Sequence, residues 1–430
     1  MRAALGVWGG RLCRYHALPG RIDLRHKDLQ HGDRTMKFHP AALAALALAA
    51  LSGCTSLTPT VPQRQLMLVA NDEKQSWNDA GVVSLGPMGR DTVQVLDIGT
   101  DPLAPKLVGT LQLDNTIAGP PTNLAITPGE TLALVANSLN VVEENGARKQ
   151  VPDNRLFVID LTTTPPKLLD TLTVGKQPSG LSINRAGDLA LVANRADNSV
   201  SVLRIAGKKV TLIDTVAMGD SVAHVRFTPD GKRALAAKFP THKIALLDVN
   251  GEKVSYNKVD LAAGLWPYNV DVTPDGKLAL TADNGNSGAS DGQVDTVSVI
   301  DLEATPPRVV DKVVVGDGPE GLAVSPTGRH AVAAILRGSN SSKSAYFYNR
   351  NGSVVLLKID GKKVTRANEV VVRGLPEGVV WSADGKYLYV GNFIDQDITI
   401  LRLDGDTLVP TGKSFPLQGH PASMRGTMTH

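Results

Sequence analysis

Cysteine is nearly absent. Of 430 residues only Cys13 and Cys54 carry a thiol, and positions 55–430 carry none. That stretch forms no disulfide, presents no thiolate nucleophile and builds no Cys-ligated metal site. Aromatic residues are scarce, at 4% of the chain, so any stacking platform must come from a handful of side chains. The apolar run Ala41–Leu51 falls well short of the roughly 20 residues that cross a bilayer as a helix. A Walker phosphate loop and a Cys-x-x-Cys-His haem attachment motif are both missing, which disfavours P-loop nucleotide chemistry and c-type cytochrome function. Close His-x-x-x-His spacing is missing too.

What stands at the N-terminus has a logic of its own. From Met36 the chain runs MKFHPAALAALALAALSGCTS, with basic Lys37, the apolar run, then small Ser52-Gly53 directly before Cys54. This resembles a bacterial lipoprotein signal, which implies that residues 36–53 are removed and that Cys54 becomes a lipidated first residue. The alternative is an ordinary secretory signal. Thr55, rather than Asp, follows the cysteine, as in cargo sent to the outer membrane, so the expected location is the cell envelope, with the membrane as partner through the lipid anchor. Residues 1–35 lack this logic and read as an extension ahead of the true start; 54–63 read as a tether.

Charge changes meaning once that segment is set aside. Residues 1–53 hold eight Lys/Arg against three Asp, so the formal net charge of +3 for the whole chain becomes about −2 for the remainder. No nucleic-acid partner is expected from such a surface.

The rest of the chain repeats. LALVAN occurs at 132–137 and again at 189–194, and related blocks stand at 66–71, 233–238, 278–283, 330–335 and 387–392, seven in all. A second block precedes six of them and closes in turns such as Thr228-Pro229-Asp230-Gly231-Lys232, a hairpin signal. A third block, TVQVLDI at 92–98 and TVSVIDL at 296–302 among others, also recurs seven times, each followed by a weaker fourth run. Four short strands per unit and seven units predict an all-β fold, a seven-bladed β-propeller with four-stranded blades over residues 64–430. The chain enters its repeats at a second strand and ends with Pro421-Ala422-Ser423-Met424, which matches the missing first strand. Pairing of the two ends in one blade is therefore expected to close the ring.

The strand ends, above all Tyr389-Val390-Gly391-Asn392, resemble the YVTN repeats of the seven-bladed propeller family, whose wider superfamily includes lactonase-like propellers. The resemblance covers about residues 64–430 and implies the fold; for activity it implies a lactonase-like hydrolase as one option.

Spacing sorts the loops. First-strand positions Pro121, Pro178, Val222, Pro267, Pro319, Pro376 and Pro421 are separated by 57, 44, 45, 52, 57 and 45 residues. Every excess over 45 falls in a connection from second to third strand, at 138–154, 284–295 and 336–352, and 72–91 is similarly long. All insertions thus share one face, the usual place for a ligand or partner on a rigid ring. That face is expected to carry Asn123, His224, Tyr268, Asn269, Glu320, Glu377 and His420 around the channel mouth. Glu320 and Glu377 occupy equivalent Pro-Glu-Gly positions in adjacent blades, so they are candidates for a shared proton or for an oxygen-rich divalent-cation site such as Ca²⁺. The alternative is a solvated rim, or hydrogen bonds to neighbouring backbone. Asp283 to Asp291 offers oxygens for weak Ca²⁺ binding without EF-hand spacing, or is a plain loop. Trp77, Trp266 and Tyr346-Phe347-Tyr348 either stack on a sugar or partner surface or fold back onto their own blades.

Two readings of function follow. One is a lipid-anchored scaffold that binds a protein, glycan or small-molecule ligand through the long-loop face. The other, implied by the resemblance, is opening of a small lactone with Glu320 or Glu377 as general base and His224 or a bound cation polarising the carbonyl.

Overall fold

The second-strand blocks are buried on both faces, which is why they read as unbroken runs of small and branched apolar residues instead of alternating ones. Leu66–Asn71, Leu189–Asn194, Leu278–Asp283 and His330–Ile335 are buried along their whole length. The structure, a computed structural model, describes residues 64–427. The expected extension, leader and tether, with Cys54, lie outside the described residues.

The strands form seven four-stranded antiparallel sheets and one small hairpin. The innermost strands of blades 1 to 7 are Pro421–Gly426, Leu124–Ile126, Pro178–Ile183, Val225–Phe227, Pro267–Val272, Pro319–Val324 and Pro376–Trp381. Each touches the next around a closed ring. Blades 2 and 4 start their inner strands three residues after Pro121 and Val222, so those two strands are shorter than the spacing implied. Closure occurs as expected: Pro421–Gly426 pairs antiparallel with Leu66–Asn71, Met67 opposite Gly426 and Ala70 opposite Ser423. Among the described residues the only helical turn is the 3₁₀ segment Phe239–Thr241, and no helix is long and apolar enough to cross a membrane.

Seven large apolar clusters occupy the gaps between neighbouring blades, one per gap. At about 1.5–3 kcal/mol per large buried side chain, these clusters supply most of the cohesion. In blades 1, 3, 5 and 7 the residue that ends the second strand fastens it to the third. Asn194 donates to Ser199 and Ser201 (3.0 and 2.9 Å), Asn392 to Asp397 and Thr399 (2.8 and 2.9 Å), and Asn71 to Thr92 and Gln94 (3.0 and 3.1 Å). In blade 5 Asp283 accepts from Thr296 and Ser298 instead (2.9 and 2.6 Å). The repeated Asn is thus a polar button on an otherwise apolar strand, its Nδ2 donors satisfied where water does not reach.

The long connections share one face. The segment 72–91 folds into the hairpin Gln75–Trp77 with Val83–Leu85, anchored by buried Lys74 on Asp72 and Asp91. The insertion at 138–154 continues blade 2 as two extended strands, Leu132–Glu144 and Ala147–Asp160, paired out to Glu144 opposite Ala147. Around 284–295 and 336–352 the chain runs between strands in turns and irregular loop. The opposite face carries tight turns: Gly231 and Gly276, with φ of 67° and 72°, complete the Pro-Asp-Gly turns in a conformation only glycine adopts without strain.

Candidate functional site

Glu320 and Glu377 stand at the second position of the inner strands of blades 6 and 7, and the glycine after each lets the strands approach. A Cβ on Gly321 would overlap the Glu377 carbonyl oxygen. The two carboxyls are not solvated at a wide rim; they are 6% and 2% exposed and hydrogen-bonded to each other. Burial pushes Glu320 up to about 7, opposed by the hydrogen bond from Glu377, by the Arg195 cation and by Asn284, whose Nδ2 donates at 3.3 Å. Burial, then the adjacent Glu320, raises Glu377 well above the carboxylate range. Glu377 therefore stays protonated at neutral pH, and Glu320 beside it is the group poised to ionise.

Tyr268 and Arg195 roof the pair. Arg195 Nη1 donates to the Tyr268 hydroxyl and to the Ala118 carbonyl, both at 3.2 Å, and its guanidinium lies over the Phe239 ring at 4.8 Å and the Tyr268 ring at 5.5 Å. Burial raises the Tyr268 hydroxyl, with Arg195 opposing. Trp266 packs edge-on to Phe239 at 4.9 Å and closes this aromatic collar.

Other expected channel residues separate. His224 is fully buried, and its Nδ1 accepts the Val270 N–H at 3.2 Å. Burial, then the Arg425 and Arg226 cations, hold it far below the usual histidine range, so it is neutral and belongs electrostatically with the other end of the channel. That makes it a poor partner for a carbonyl handled by the Glu pair. Asn123 donates to Ala136 O within its own blade (2.8 Å), and Asn269 donates across to Glu320 O (3.3 Å); both are structural fasteners.

A divalent cation fits poorly here. Ca²⁺ takes about six to eight oxygens, whereas the Glu pair offers two carboxyls, one already protonated, beside a cation. Among the described residues no group of three His, Cys, Asp or Glu is placed to hold a metal. In the 283–291 loop the acidic oxygens are committed: Asp283 to Thr281, Thr296 and Ser298, and Asp291 to the Gln293 N–H.

His420 leaves the channel and joins a pocket on the long-loop face between blades 1, 6 and 7. The pocket holds about 250 Å³ and is lined by Trp77, Asn78, Ser339, Tyr348, Phe393 and His420 with Lys343 and Arg350. Trp77 meets Phe393 edge-on at 5.7 Å, and Phe393 meets His420 at 5.0 Å. Arg350 is held by Asp395 through two bonds of 2.7 and 3.1 Å, and Lys343 by Asp79 at 2.6 Å, so both cations arrive neutralised. Burial lowers His420 despite Glu73 and Asp72. Tyr348 lines the pocket wall. Tyr346 does not: it is 81% exposed, its hydroxyl donates to Asp291 O at 3.1 Å, and its ring packs on Phe347.

Arg195, Phe239 and Phe393 were not expected from the sequence. Each directly follows the residue that ends a second strand, as do Asp72 and Asn284, so the position after the button consistently faces the working side. Two short glycine patterns are coincidental. Gly288–Gly292 spells Gly-x-Ser-x-Gly, but Ser290 accepts the Gly338 N–H at 2.8 Å and hydrogen-bonds Asp317 in a loop rather than on a strand-to-helix elbow. Gly316–Gly321 spells Gly-x-Gly-x-x-Gly but leads into a strand, where no helix N-terminus is offered to a pyrophosphate.

No family model matches the chain, and neither does any curated protein. Solved structures do. The Pseudomonas aeruginosa periplasmic gluconolactonase PpgL superposes with a TM-score of 0.64 at 16% identity, covering 86% of this chain and 100% of its own. A Bacteroides fragilis protein assigned as a candidate 6-phosphogluconolactonase gives 0.63 at 17% identity, covering 85% of this chain and 99% of its own. Kuenenia stuttgartiensis hydrazine synthase gives 0.54 at 21% identity, covering 72% and 90%. At such identities, and with chemistries so different, the likeness is one of fold: this chain is a seven-bladed β-propeller similar in architecture to gluconolactonase-type propellers.

Proposed function

We propose that this protein is a cell-envelope binding propeller that seats a small, neutral, ring-bearing ligand such as the end of a glycan in the pocket of its long-loop face. The observation that carries this reading is the 250 Å³ pocket itself, where scarce aromatics meet serine and asparagine side chains and salt-bridged cations. Aromatic rings pack on the C–H faces of sugars while short polar groups and a fixed guanidinium meet hydroxyls. The volume suits one ring rather than a protein segment. Anchoring through Cys54 remains part of this proposal and would keep the propeller at the envelope. The test is a glycan panel titrated against the full chain and a Trp77→Ala variant. Saturable binding that weakens at least tenfold in the variant supports the reading; equal binding by both proteins removes it.

A second reading is lactone opening at Glu320 and Glu377, favoured by a hydrogen-bonded pair whose Glu320 ionises at about 7, where a general base works best at neutral pH. The fold likeness to a periplasmic gluconolactonase agrees with it. The pair is buried beneath Arg195 and Tyr268, however, so a substrate must first displace that roof. Turnover of a small lactone panel that is lost in a Glu320→Gln/Glu377→Gln double variant and unaffected by EDTA would establish this chemistry. Absence of turnover from folded protein would leave the binding role.

A further inference from the structure

The insertion at 72–91 is fastened at both feet by one buried cluster. Lys74 Nζ donates to Asp91 Oδ2, to the Asn115 carbonyl and, at 3.2 Å, to Asp72 Oδ1. Lys74 is 2% exposed and the two aspartates 0%. An amine thus lies against the carboxyl of a residue 17 positions along the chain, in a place water does not reach. Backbone donors hold the carboxyls in place. Asp91 Oδ1 accepts the Glu73 N–H at 2.9 Å, and its Oδ2 accepts the Asn115 N–H at 3.1 Å. Asp72 accepts the Lys74 N–H on Oδ1 at 2.7 Å and the Ile117 N–H on Oδ2 at 2.8 Å. Burial raises the Asp91 carboxyl to about 6, with Lys74 opposing and Asp72 adding to the rise.

A buried ammonium and carboxylate each give up their hydration, which is costly for as long as both stay charged. Condensation removes both charges at once. An amine held against a carboxyl, N–H donors on the carboxyl oxygens and a second carboxylate to carry protons are together what acyl transfer to an amine requires. We propose that Lys74 and Asp91 join in an intramolecular isopeptide bond, with Asp72 as the proton carrier. Asp72 takes one proton from the Lys74 ammonium, and the Nζ lone pair forms the bond to Asp91 Cγ while the Glu73 N–H holds the charge that grows on Oδ1. Asp72 passes that proton, and then a second from Nζ, to Oδ2. The Cγ–Oδ2 bond breaks with its electron pair, water leaves, and the amide keeps the last proton. Asp72 ends as it began, and no other reactant is consumed. In a stretch without cysteine, this link is a covalent staple across the base of the hairpin that carries Trp77. It braces one wall of the aromatic pocket and does not depend on what that pocket binds.

The experiment is trypsin digestion of the denatured full chain, read by mass spectrometry. Trypsin spares an acylated lysine, so fragments 65–90 and 91–106 should appear as one branched peptide, lighter by one water than the two together. Asp91→Ala should restore cleavage after Lys74 and release 65–74. Because Asp91→Ala also removes acceptors that the loop uses, Asp72→Asn is the sharper control. It keeps Lys74, Asp91 and nearly the same shape but loses the proton carrier, so the yield of branched peptide should fall at least tenfold in protein whose thermal transition shows a folded ring. Complete cleavage after Lys74 in the folded parent leaves a plain ion pair and overturns the proposal. An equal yield of branched peptide in Asp72→Asn overturns it as well.

Discussion

Glu320 and Glu377 keep in the folded ring a proton that the unfolded chain gives up near 4.5. A carboxyl whose folded pKa lies above its unfolded value stabilises most below the unfolded pKa and loses that contribution as pH rises toward the folded one. For Glu320 the window runs from 4.5 to about 7. Denaturant unfolding should therefore show stability falling across this window more steeply in the parent than in Glu320→Gln/Glu377→Gln. Asp91, Asp283 and Asp295, each raised to about 6, titrate in the same direction, so the variant keeps a residual slope and the difference between the two proteins is the measure. The polar buttons make a separate prediction. Asn392→Ala strands the Asp397 and Thr399 side chains and should cost about 1–3 kcal/mol, read as a lower denaturation midpoint with unchanged slope. The Glu pair was legible because Pro-Glu-Gly recurs at equivalent places in the repeat. Arg195 and Phe393 were not, because the repeat marks where a position lies but not which side chain a neighbouring loop will need there.

Among elements, the inner strands tolerate least. Gly321 lies against the Glu377 carbonyl, and Gly378 lies against Met424 of the next blade. Gly321→Ala should cost about 3 kcal/mol through overpacking and disturb the hydrogen-bonded Glu pair. Gly276→Ala, where only the positive φ opposes the substitution, should cost about 1 kcal/mol. Equal thermal shifts for the two variants would contradict this account of the strand approach. At this scale the strands were readable from the sequence almost to the residue, since burial on both faces imposes the Val-Ala-Leu pattern. The 138–154 insertion was read as a loop although Asn145-Gly146 is a hairpin dipeptide; with φ of 53° and 75° it forms the tip of the extended pair. The missing signal was apolar alternation, because these strands project beyond the core and half their residues face solvent.

For the whole molecule, ring number and closure could be counted in advance because each unit leaves its own repeated signature. The pocket could not, since Trp77, Tyr348, Phe393 and His420 come together only when the ring brings blades 1, 6 and 7 side by side. Replacement of Cys54 by Ser should move the protein from the membrane to the soluble fraction on cell fractionation; retention in the membrane would defeat the anchoring proposal. The shared first blade also gives the disc a polarity. Leu66 begins the second strand at the short-turn face, where its N–H reaches the Glu130 carboxylate at 2.7 Å, so the chain enters the described propeller from that side. Entry on the short-turn side leaves the opposite side, with its aromatic pocket, clear of the strand that opens the ring, so the two faces of the propeller are free to serve unlike purposes.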